Sequence, residues 1–158
     1  MSTKPKHITY SDALVKARHY CAYQERCHFE VEEKLRSLGL HYDFIPAVCV
    51  TLSEEGYLNE ERYVSAYVRG KFNQNGWGKL KIVQGLKAKR ISRKMIESGL
   101  ALLDDTNYYQ TLVSILNKKK RITRSKNELE LRSKLQRFGI SRGFENGLIN
   151  NALDEILN

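Results

Sequence analysis

The residue types that perform catalysis are scattered along this 158-residue chain and do not form a recognisable constellation. The four histidines lie at His7, His19, His28 and His41, and no two have the four-residue spacing of a metalloprotease helix. The turn Gly76-Trp77-Gly78 is followed neither by the third glycine of a dinucleotide site nor by the Gly-Lys-Ser/Thr of a P-loop. We therefore expect a protein that is not an enzyme, with no catalytic residues, no metal site and no cofactor.

Positive charge is the chemical feature that the sequence does concentrate. The net charge is +9, but residues 1–59 hold 7 basic and 8 acidic side chains, whereas residues 60–158 hold 20 basic and 10 acidic ones. Ten Lys or Arg and no acid lie between Arg62 and Ile96, and six more without an acid lie between Lys118 and Lys126. An excess confined to part of the chain predicts a polyanionic partner or a strongly acidic protein surface.

The candidate binding residues are the cations of these two spans together with one aromatic residue. Lysine and arginine neutralise phosphates with an affinity that does not depend on base sequence and that falls with salt. Trp77, like Phe72, can stack on exposed bases, although for Trp77 we favour the alternative that it packs in the turn between two helices. Residues 118–126 are interpreted as an exposed basic loop. The candidates are Arg62, Arg69, Lys71, Trp77, Lys79, Lys81, Lys87, Lys89, Arg90, Arg93, Lys94, Lys118, Lys119, Lys120, Arg121, Arg124 and Lys126.

A phrase that recurs three times predicts the elements that position these residues. Its leucine anchors, Leu35, Leu86 and Leu135, lie 51 and 49 residues apart. Apolar residues also recur six positions before each anchor and nine after it, at Phe29, Leu80 and Leu129 and at Phe44, Met95 and Phe144. A fixed period near fifty residues, with apolar positions three and four apart, predicts stacked helical units. We expect an all-α fold, an elongated tandem array of three three-helix repeats at about residues 10–58, 59–105 and 106–158.

Capping residues mark the ends of the predicted helices. Small polar side chains favour helix starts, and glycine favours the position just past a helix end. Thr9 or Ser11, Asp43, Asn59, Ser92 and Ser141 are the expected N-caps, and Gly39 and Gly139 the expected helix ends.

The sequence also predicts where the protein works. No apolar stretch approaches the roughly 20 residues that span a bilayer, and the N-terminus lacks the apolar core of a signal peptide. The three cysteines, Cys21, Cys27 and Cys49, match no common zinc spacing and are expected to be reduced and structural. We expect a cytoplasmic protein that does not bind membranes.

The second repeat resembles the most characteristic stretch of RecX proteins. Residues 57–69 correspond to a short acidic turn before Arg-Phe-Ala, with Tyr63 in place of Phe. Gly76-Trp77-Gly78 corresponds to the Gly-aromatic-Gly turn that opens a helix ending in Lys-Gly-Ile, here Lys89-Arg90-Ile91. Residues 30–35 are similar to the Glu-Leu-x-x-Lys-Leu element of the same family. The similarity extends from about Tyr10 to Leu157 and includes the plan of three three-helix repeats.

The resemblance implies a regulator of the RecA recombinase, with a role in DNA recombination, repair and the SOS response. Such proteins bind the RecA filament on DNA, lie along its groove and restrain strand exchange and ATP hydrolysis, without catalytic residues of their own. The implied partners are the RecA filament and single- or double-stranded DNA bound without regard to sequence. We expect a monomer.

Three residues depart from the helix chemistry expected of the family. Arg90 stands where the family has glycine, and a left-handed arginine would cost on the order of 1 kcal/mol, so this helix is expected to end differently or to continue. Cys27 replaces a capping serine and weakens that cap. Gly85 lies inside the basic helix, where glycine costs about 1 kcal/mol relative to alanine.

Two other functions fit the same residues. A stand-alone DNA-binding helical protein, such as a transcription factor, would bind selected sequences even at moderate salt. A helical-repeat adaptor for an acidic protein would bind its partner fully without DNA and would have no DNA affinity at low salt.

Small-angle X-ray scattering tests the elongated array. An array of stacked repeats should give a pair-distance distribution with a long tail. A symmetric distribution, as from a compact sphere, would contradict the prediction.

Overall fold

The computed structural model describes residues 7–158, and within that range the chain is all-helical, with no strand. The α-helices are α1 (Tyr10–Tyr23), α2 (His28–Ser37), α3 (Ile45–Glu54), α4 (Glu60–Asn73), α5 (Lys79–Ala88), α6 (Arg93–Leu100), α7 (Asp105–Ile122), α8 (Glu128–Ser141) and α9 (Asn146–Leu157), with a 3₁₀ turn at Tyr42–Phe44. This order confirms the predicted all-α class and the tandem three-helix plan. None of the helices in the described part of the chain is long and apolar enough to cross a membrane.

The helices divide between two compact units. Among the described residues, one unit joins residues 7–66 with residues Lys89–Ile91, and the other joins residues Tyr67–Ala88 with Ser92–Asn158. In the first, α1, α2 and α3 pack around a fully buried apolar core that contains Ala17, Leu35 and Leu52. In the second, α7, α8 and α9 pack on one another in the same way.

The three cysteines are buried free thiols, as predicted. Burial raises the pKa of Cys21 and of Cys49 to about 11, and it also raises the pKa of Cys27. All three thiols are therefore protonated near neutral pH and behave as small apolar side chains.

The leucine anchors of the repeated phrase belong to the core, as does Phe144, but other outer positions of the phrase are largely exposed. Leu35, Leu86 and Leu135 are fully buried, whereas Leu80 is 52% exposed and Leu129 is 77% exposed. A separation of six residues rotates a helical position by about 240°, which places these leucines away from the buried face. Phe44 is 51% exposed because it lies in the 3₁₀ turn that precedes α3.

Three of the predicted N-caps are confirmed. The Asp12 N–H donates to the Thr9 hydroxyl at 3.2 Å, the Arg62 N–H to the Asn59 side-chain oxygen at 3.0 Å, and the Met95 N–H to the Ser92 hydroxyl at 3.3 Å.

Two other predicted caps were wrong, and both errors come from segments that stay helical longer than expected. Asp43 lies within the 3₁₀ turn, so the residue before α3 is Phe44. Ser141 is the last residue of α8, and α9 begins after Glu145.

The predicted helix end at Gly39 is confirmed, whereas the one at Gly139 was wrong. Gly39 has φ +83° after α2. Gly139 lies inside α8, where a Cβ would come within 2.9 Å of the Ile149 side chain, so this glycine serves close packing with α9. Gly143, with φ +92°, follows α8 instead.

The basic run of the third repeat is helical rather than the loop we expected. Helix α7 continues through Lys119, Lys120 and Arg121, and Thr123 is its C-cap. Lysine and arginine are good helix formers, and positive charge is favourable in the last turn of a helix. Only residues 123–127 connect α7 to α8.

Arg90 adopts the left-handed conformation that glycine would supply, which corrects the expectation of a different helix end. Its φ is +59°, and its guanidinium carbon lies 4.9 Å from the centre of the Phe29 ring. This cation–π contact offsets part of the conformational cost.

Glu30 retains part of the cap at the start of α2. The Cys27 N–H donates to the Glu30 carboxylate at 3.2 Å, although the thiol is a poor substitute for serine.

Gly85 has a packing role in the basic helix. A Cβ at this position would overlap the hydroxyl of Tyr67, so the absence of a side chain is what allows α5 to approach Tyr67. The helix therefore accepts the conformational cost of glycine at this position because a side chain there would exclude the contact with Tyr67.

The first turn of α5 is fastened to the turn between α8 and α9. The Gly78 N–H donates to the Arg142 carbonyl at 2.7 Å, and the Leu80 N–H donates to the Gly143 carbonyl at 2.9 Å. A helix leaves its first amides without partners of its own, and here the chain just after α8 supplies the acceptors. We call this contact the α5 joint.

The α5 joint requires glycine on both sides. A Cβ on Gly78 would overlap the Gly143 carbonyl group and would lie 2.5 Å from the Phe144 nitrogen. A Cβ on Gly143 would overlap that of Lys81. The two backbones approach this closely only because neither residue has a side chain.

Replacing Gly78 with alanine should destabilise the protein by about 2 kcal/mol, because rigid backbone must move to make room. The matched control is Gly70→Ala in α4, where no atom lies within 4 Å of an added Cβ. It should stabilise the protein by about 1 kcal/mol, since alanine favours a helix interior. Urea unfolding measures both free energies, and a Gly78→Ala midpoint equal to that of the parent would contradict the joint.

Candidate nucleic-acid interface

Trp77 lies between two lysine side chains at the start of α5. The Lys71 ammonium is 4.7 Å from the centre of the indole ring, and the Lys81 ammonium is 4.6 Å from it. The ring is half-buried. The indole therefore packs in the turn, and the part of the ring that stays accessible to solvent is flanked by two cations. We call Lys71, Trp77 and Lys81 the Trp77 site.

The backbone of the Gly76 turn sets the position of the indole. Gly76 has φ +65°, and its N–H donates to the Phe72 carbonyl at 3.1 Å. The Trp77 N–H donates to the Lys71 carbonyl at 3.0 Å, which brings Trp77 back over the last turn of α4. The α5 joint holds the other end of this turn, so both ends of the segment are fixed.

Phe72 is not available to a ligand, which corrects the expectation that it could stack on bases. It is 4% exposed, and its ring stacks on Tyr108 at a centroid distance of 5.7 Å. Tyr108 in turn packs against Phe144 at 5.1 Å. These three rings form a buried aromatic cluster in the second unit.

The hydroxyl of Tyr108 connects α5 with α9. It accepts the Lys79 N–H at 2.9 Å and donates to the Glu145 carboxylate. Burial, and then the hydrogen bond to Glu145, raise the pKa of Tyr108 well above its ordinary value, which keeps the hydroxyl protonated as a donor. With the α5 joint, this bond leaves an anion little access to the amides of the α5 N-terminus, so an anion at this point would be held by side chains.

Several candidate cations are engaged within the protein. The Arg62 Nε lies 3.0 Å from the Glu25 carboxylate, and the Lys89 ammonium lies 3.5 Å from that of Glu30. The Lys79 ammonium lies 4.7 Å from the centre of the Tyr108 ring. These three side chains have roles in packing or in pairing within the fold.

Two further candidates also have internal partners. The Arg93 Nε lies 2.9 Å from the Glu97 carboxylate one turn along α6, on an exposed surface. The Lys120 ammonium donates to the Ile156 carbonyl at 2.9 Å, which ties α7 to the end of α9.

The remaining basic candidates carry charge that the fold leaves available. Within residues 7–158, the side chains of seven of them form neither an ion pair nor a hydrogen bond with another described residue. They are Arg69, Lys87, Lys94, Lys118, Arg121, Arg124 and Lys126. On α5, Lys87 shares the exposed side of the helix with Leu80 and Gln84.

A cleft of about 750 Å³ lies between the end of α4 and helices α7 and α8. Lys118, Lys119 and Arg142 line it with Phe138, whose ring centre is 4.9 Å from the Lys119 ammonium and 5.3 Å from the Arg142 guanidinium carbon. Sequence reasoning missed Arg142 because it lies outside the acid-free spans. Its pairing with the Asn75 carbonyl at 2.9 Å has no sequence signature.

Comparison with models of known protein families shows which family the chain belongs to. A family model described as the second three-helix domain of RecX matches residues 59–100, and one described as the third three-helix domain of RecX matches residues 106–153. Together these matches cover more than half of the chain. The chain belongs to the RecX family. The resemblance found in the sequence is thereby confirmed, while the exact limits of each repeat stay predictions.

Curated relatives named regulatory protein RecX are similar along nearly the whole chain. The protein of Bacillus cytotoxicus is 29% identical over 144 residues, which is 91% of this chain and 53% of the relative. That of Halalkalibacterium halodurans is 27% identical over 155 residues, which is 96% of this chain and 58% of the relative. The chain thus spans about half the length of the curated relatives it matches.

Solved RecX structures have the same fold. The crystal structure of RecX from Lactobacillus salivarius aligns with a TM-score of 0.83 at 27% identity, covering 93% of this chain and 96% of that one. A second RecX crystal structure aligns with a TM-score of 0.85 at 21% identity, covering 92% of this chain and 73% of that one. At this identity the similarity supports the fold only.

Quenching of Trp77 fluorescence tests the two flanking lysines. Trp77 is the one tryptophan in the sequence, so its emission reports this site alone. Because positive charge raises the local concentration of anions, iodide should quench it more strongly than caesium at low ionic strength. In Lys71→Gln/Lys81→Gln the ratio of the iodide to the caesium quenching constant should fall, whereas in the control Lys94→Gln it should stay at the parent value. A ratio in the double variant equal to that of the parent would contradict the site.

Proposed function

We propose that this RecX-family protein is a negative regulator of the RecA recombinase, which binds the RecA filament on DNA and slows its ATP hydrolysis and strand exchange. The observation that carries the proposal is the coincidence of two features. The two RecX domain models match residues 59–100 and 106–153, and the same part of the chain holds nearly all of the positive charge excess. The relatives named regulatory protein RecX support a regulatory role.

The contact surface in this proposal is the Trp77 site extended by Arg69 and Lys87. These cations have no carboxylate partner among the described residues, so DNA phosphates can neutralise them without breaking internal ion pairs. Lys118 and Arg121 on α7 extend the surface in the third repeat. Such contacts give sequence-independent binding that weakens steeply as salt rises.

The capped N-terminus of α5 weighs against a stand-alone DNA-binding protein that selects its sequence. A recognition helix reads base edges with residues of its first turn. In α5 that turn is engaged with the α8–α9 turn through the Gly78 and Leu80 amides. The first-turn lysines, Lys79 and Lys81, lie against the Tyr108 and Trp77 rings, which suits contact with phosphates better than the reading of base edges.

The proposed mechanism is steric and electrostatic. In the groove of the filament, the basic surface lies against DNA phosphates and acidic recombinase surface and bridges neighbouring protomers. Bridging slows the turnover or growth of the filament, and the protein needs no catalytic residue for this effect. It acts as a monomer in the cytoplasm, where the recombinase and DNA are found.

A RecA ATPase assay on single-stranded DNA tests the proposal. Titrating the protein should lower the steady-state rate of ATP hydrolysis. Lys81→Gln/Lys87→Gln should require more protein for the same inhibition, because two phosphate contacts are lost, and the salt slope of its DNA affinity should fall by about 2. The control Arg36→Gln/Arg137→Gln has the same net charge and lies outside the proposed surface.

Three results would count against the proposal or its contact surface. An ATPase rate that does not change at any ratio of protein to recombinase would exclude the regulator. Equal inhibition by the parent and by Lys81→Gln/Lys87→Gln would show that the contact surface does not include these two lysines. Loss of inhibition in the Arg36→Gln/Arg137→Gln control would indicate an effect of net charge alone.

A further inference from the structure

The first repeat holds its own cluster of aromatic and cationic side chains at the end of α1. The Arg26 guanidinium carbon lies over the Tyr20 ring, 3.7 Å from its centre, and the Lys34 ammonium lies 5.4 Å from the same ring. The Arg26 Nε also donates to the Tyr20 carbonyl at 3.0 Å. Tyr23 lies beside this pair, with Arg26 at 6.0 Å from its ring centre. We call these four residues the Tyr23 cluster.

Tyr23 is the open member of the cluster. It is 83% exposed, whereas Tyr20 is partly buried against the core of the unit. A cleft of about 470 Å³ runs beside it, with Lys16 and His19 adding further nitrogen groups to its walls. Among the described residues, no carboxylate lines this cleft. The charged side chains that line the cleft beside this exposed ring are therefore all cationic.

The net charge of the first repeat conceals this local excess, because five of its acids are paired with cations elsewhere. Glu25 pairs with Arg62 at 3.0 Å, and Glu30 pairs with Lys89 at 3.5 Å. Glu55 accepts two hydrogen bonds from the Arg18 guanidinium, at 2.8 and 2.7 Å.

The remaining acids of α2 follow the same pattern. Glu32 and Glu33 both lie within ion-pair distance of Arg36. The hydrogen bonds from Arg18 lower the pKa of Glu55, so that carboxylate stays charged and engaged. Pairing removes these acids and leaves Lys16, Arg26 and Lys34 as the available charges around Tyr23.

The chemistry of the cluster selects its ligand. An exposed tyrosine ring and a guanidinium group are both surfaces on which nucleobases stack, and the flanking lysines suit phosphates. In a duplex the faces of the bases are covered by their neighbours, so the ligand must be single-stranded. An acidic peptide would engage the cations but would leave the ring of Tyr23 without a partner.

We infer that the Tyr23 cluster is a second nucleic-acid site, which stacks a base of a single strand on Tyr23 and Arg26 and holds its flanking phosphates with Lys16 and Lys34. This site belongs to the first repeat, away from the charge-rich part of the sequence. The inference does not rest on the recombinase, since it concerns the affinity of the protein for a single strand by itself.

Fluorescence anisotropy with an oligothymidine longer than the roughly 4–16 nucleotides that such sites cover tests the inference. Tyr23→Ala should weaken binding about fivefold or more, the loss expected for one stacked base. Tyr23→Phe should bind like the parent, because the ring alone stacks. Affinity for a duplex of the same length should stay unchanged in both variants, and an oligouridine should behave like the oligothymidine.

Tyr42→Ala is the matched control within the same unit. Tyr42 is 72% exposed, but its ring stacks on His41 at 4.4 Å and lies next to Asp43 in sequence. This variant should bind the oligothymidine with the affinity of the parent. Because both tyrosines are largely exposed, circular dichroism should show the parent fold in each variant.

Three outcomes would overturn the inference. The first is unchanged oligothymidine affinity in Tyr23→Ala. The second is an equal loss for single strand and duplex, which would exclude stacking. The third is intact DNA affinity with weaker RecA binding in the absence of DNA, which would make the cluster a protein-docking surface. If ATPase regulation fails while the Tyr23→Ala loss is observed, the proposed function falls and this site stands.

Discussion

The amides at the start of α5 need acceptors from outside the helix, and this requirement constrains how the helices of the second unit pack. A helix start that is packed against protein must find acceptors for these N–H groups, and α5 finds them on the chain just after α8. The bonds from Gly78 and Leu80 require a backbone-to-backbone contact that a single Cβ would prevent. Two positions that must be glycine therefore fix where the basic helix begins and how it is rotated.

The rotation of α5 decides which charges remain available. With its N-terminus held, the helix turns Ile82 and Leu86 into the core and leaves Lys87 exposed, with Lys81 beside Trp77. Lys79 points instead toward Tyr108, where it supports the fold. A run of cations that looks uniform in the sequence is thus divided by geometry into residues that pack or pair within the fold and residues whose charge stays available.

The sequence was sufficient for the features that depend on local chemistry. Leu35, Leu86 and Leu135 could be assigned to the core from their period, and Thr9, Asn59 and Ser92 to caps from their side chains. Spacing alone was misleading for Leu80 and Leu129. Each lies six residues before a buried leucine, and six residues do not make a whole number of helical turns, so both point away from the core. Spacing also misled at the end of α8, because a glycine inside a helix and a glycine after it look the same in sequence.

The cations that stay available to a ligand were harder to predict, because pairing is a property of the folded chain. Nothing in the sequence indicates that Lys89 pairs with Glu30 or that Phe72 lies beneath Tyr108. The Tyr23 cluster was missed because the near-neutral total of the first repeat obscured it. The net charge of a segment sums all of its charged residues, whereas a ligand interacts mainly with the charges that are not already neutralised by ion pairs within the fold.

Amide hydrogen exchange at the α5 joint tests the central claim most directly. The N–H groups of Gly78 and Leu80 donate to carbonyls of the α8–α9 turn, so they should exchange slowly, unlike the first amides of an uncapped helix. The first turn of α9, which receives no side-chain cap, gives an internal comparison and should exchange faster. Exchange of Gly78 and Leu80 as fast as that turn would show that the joint does not hold α5 in place and would contradict the account.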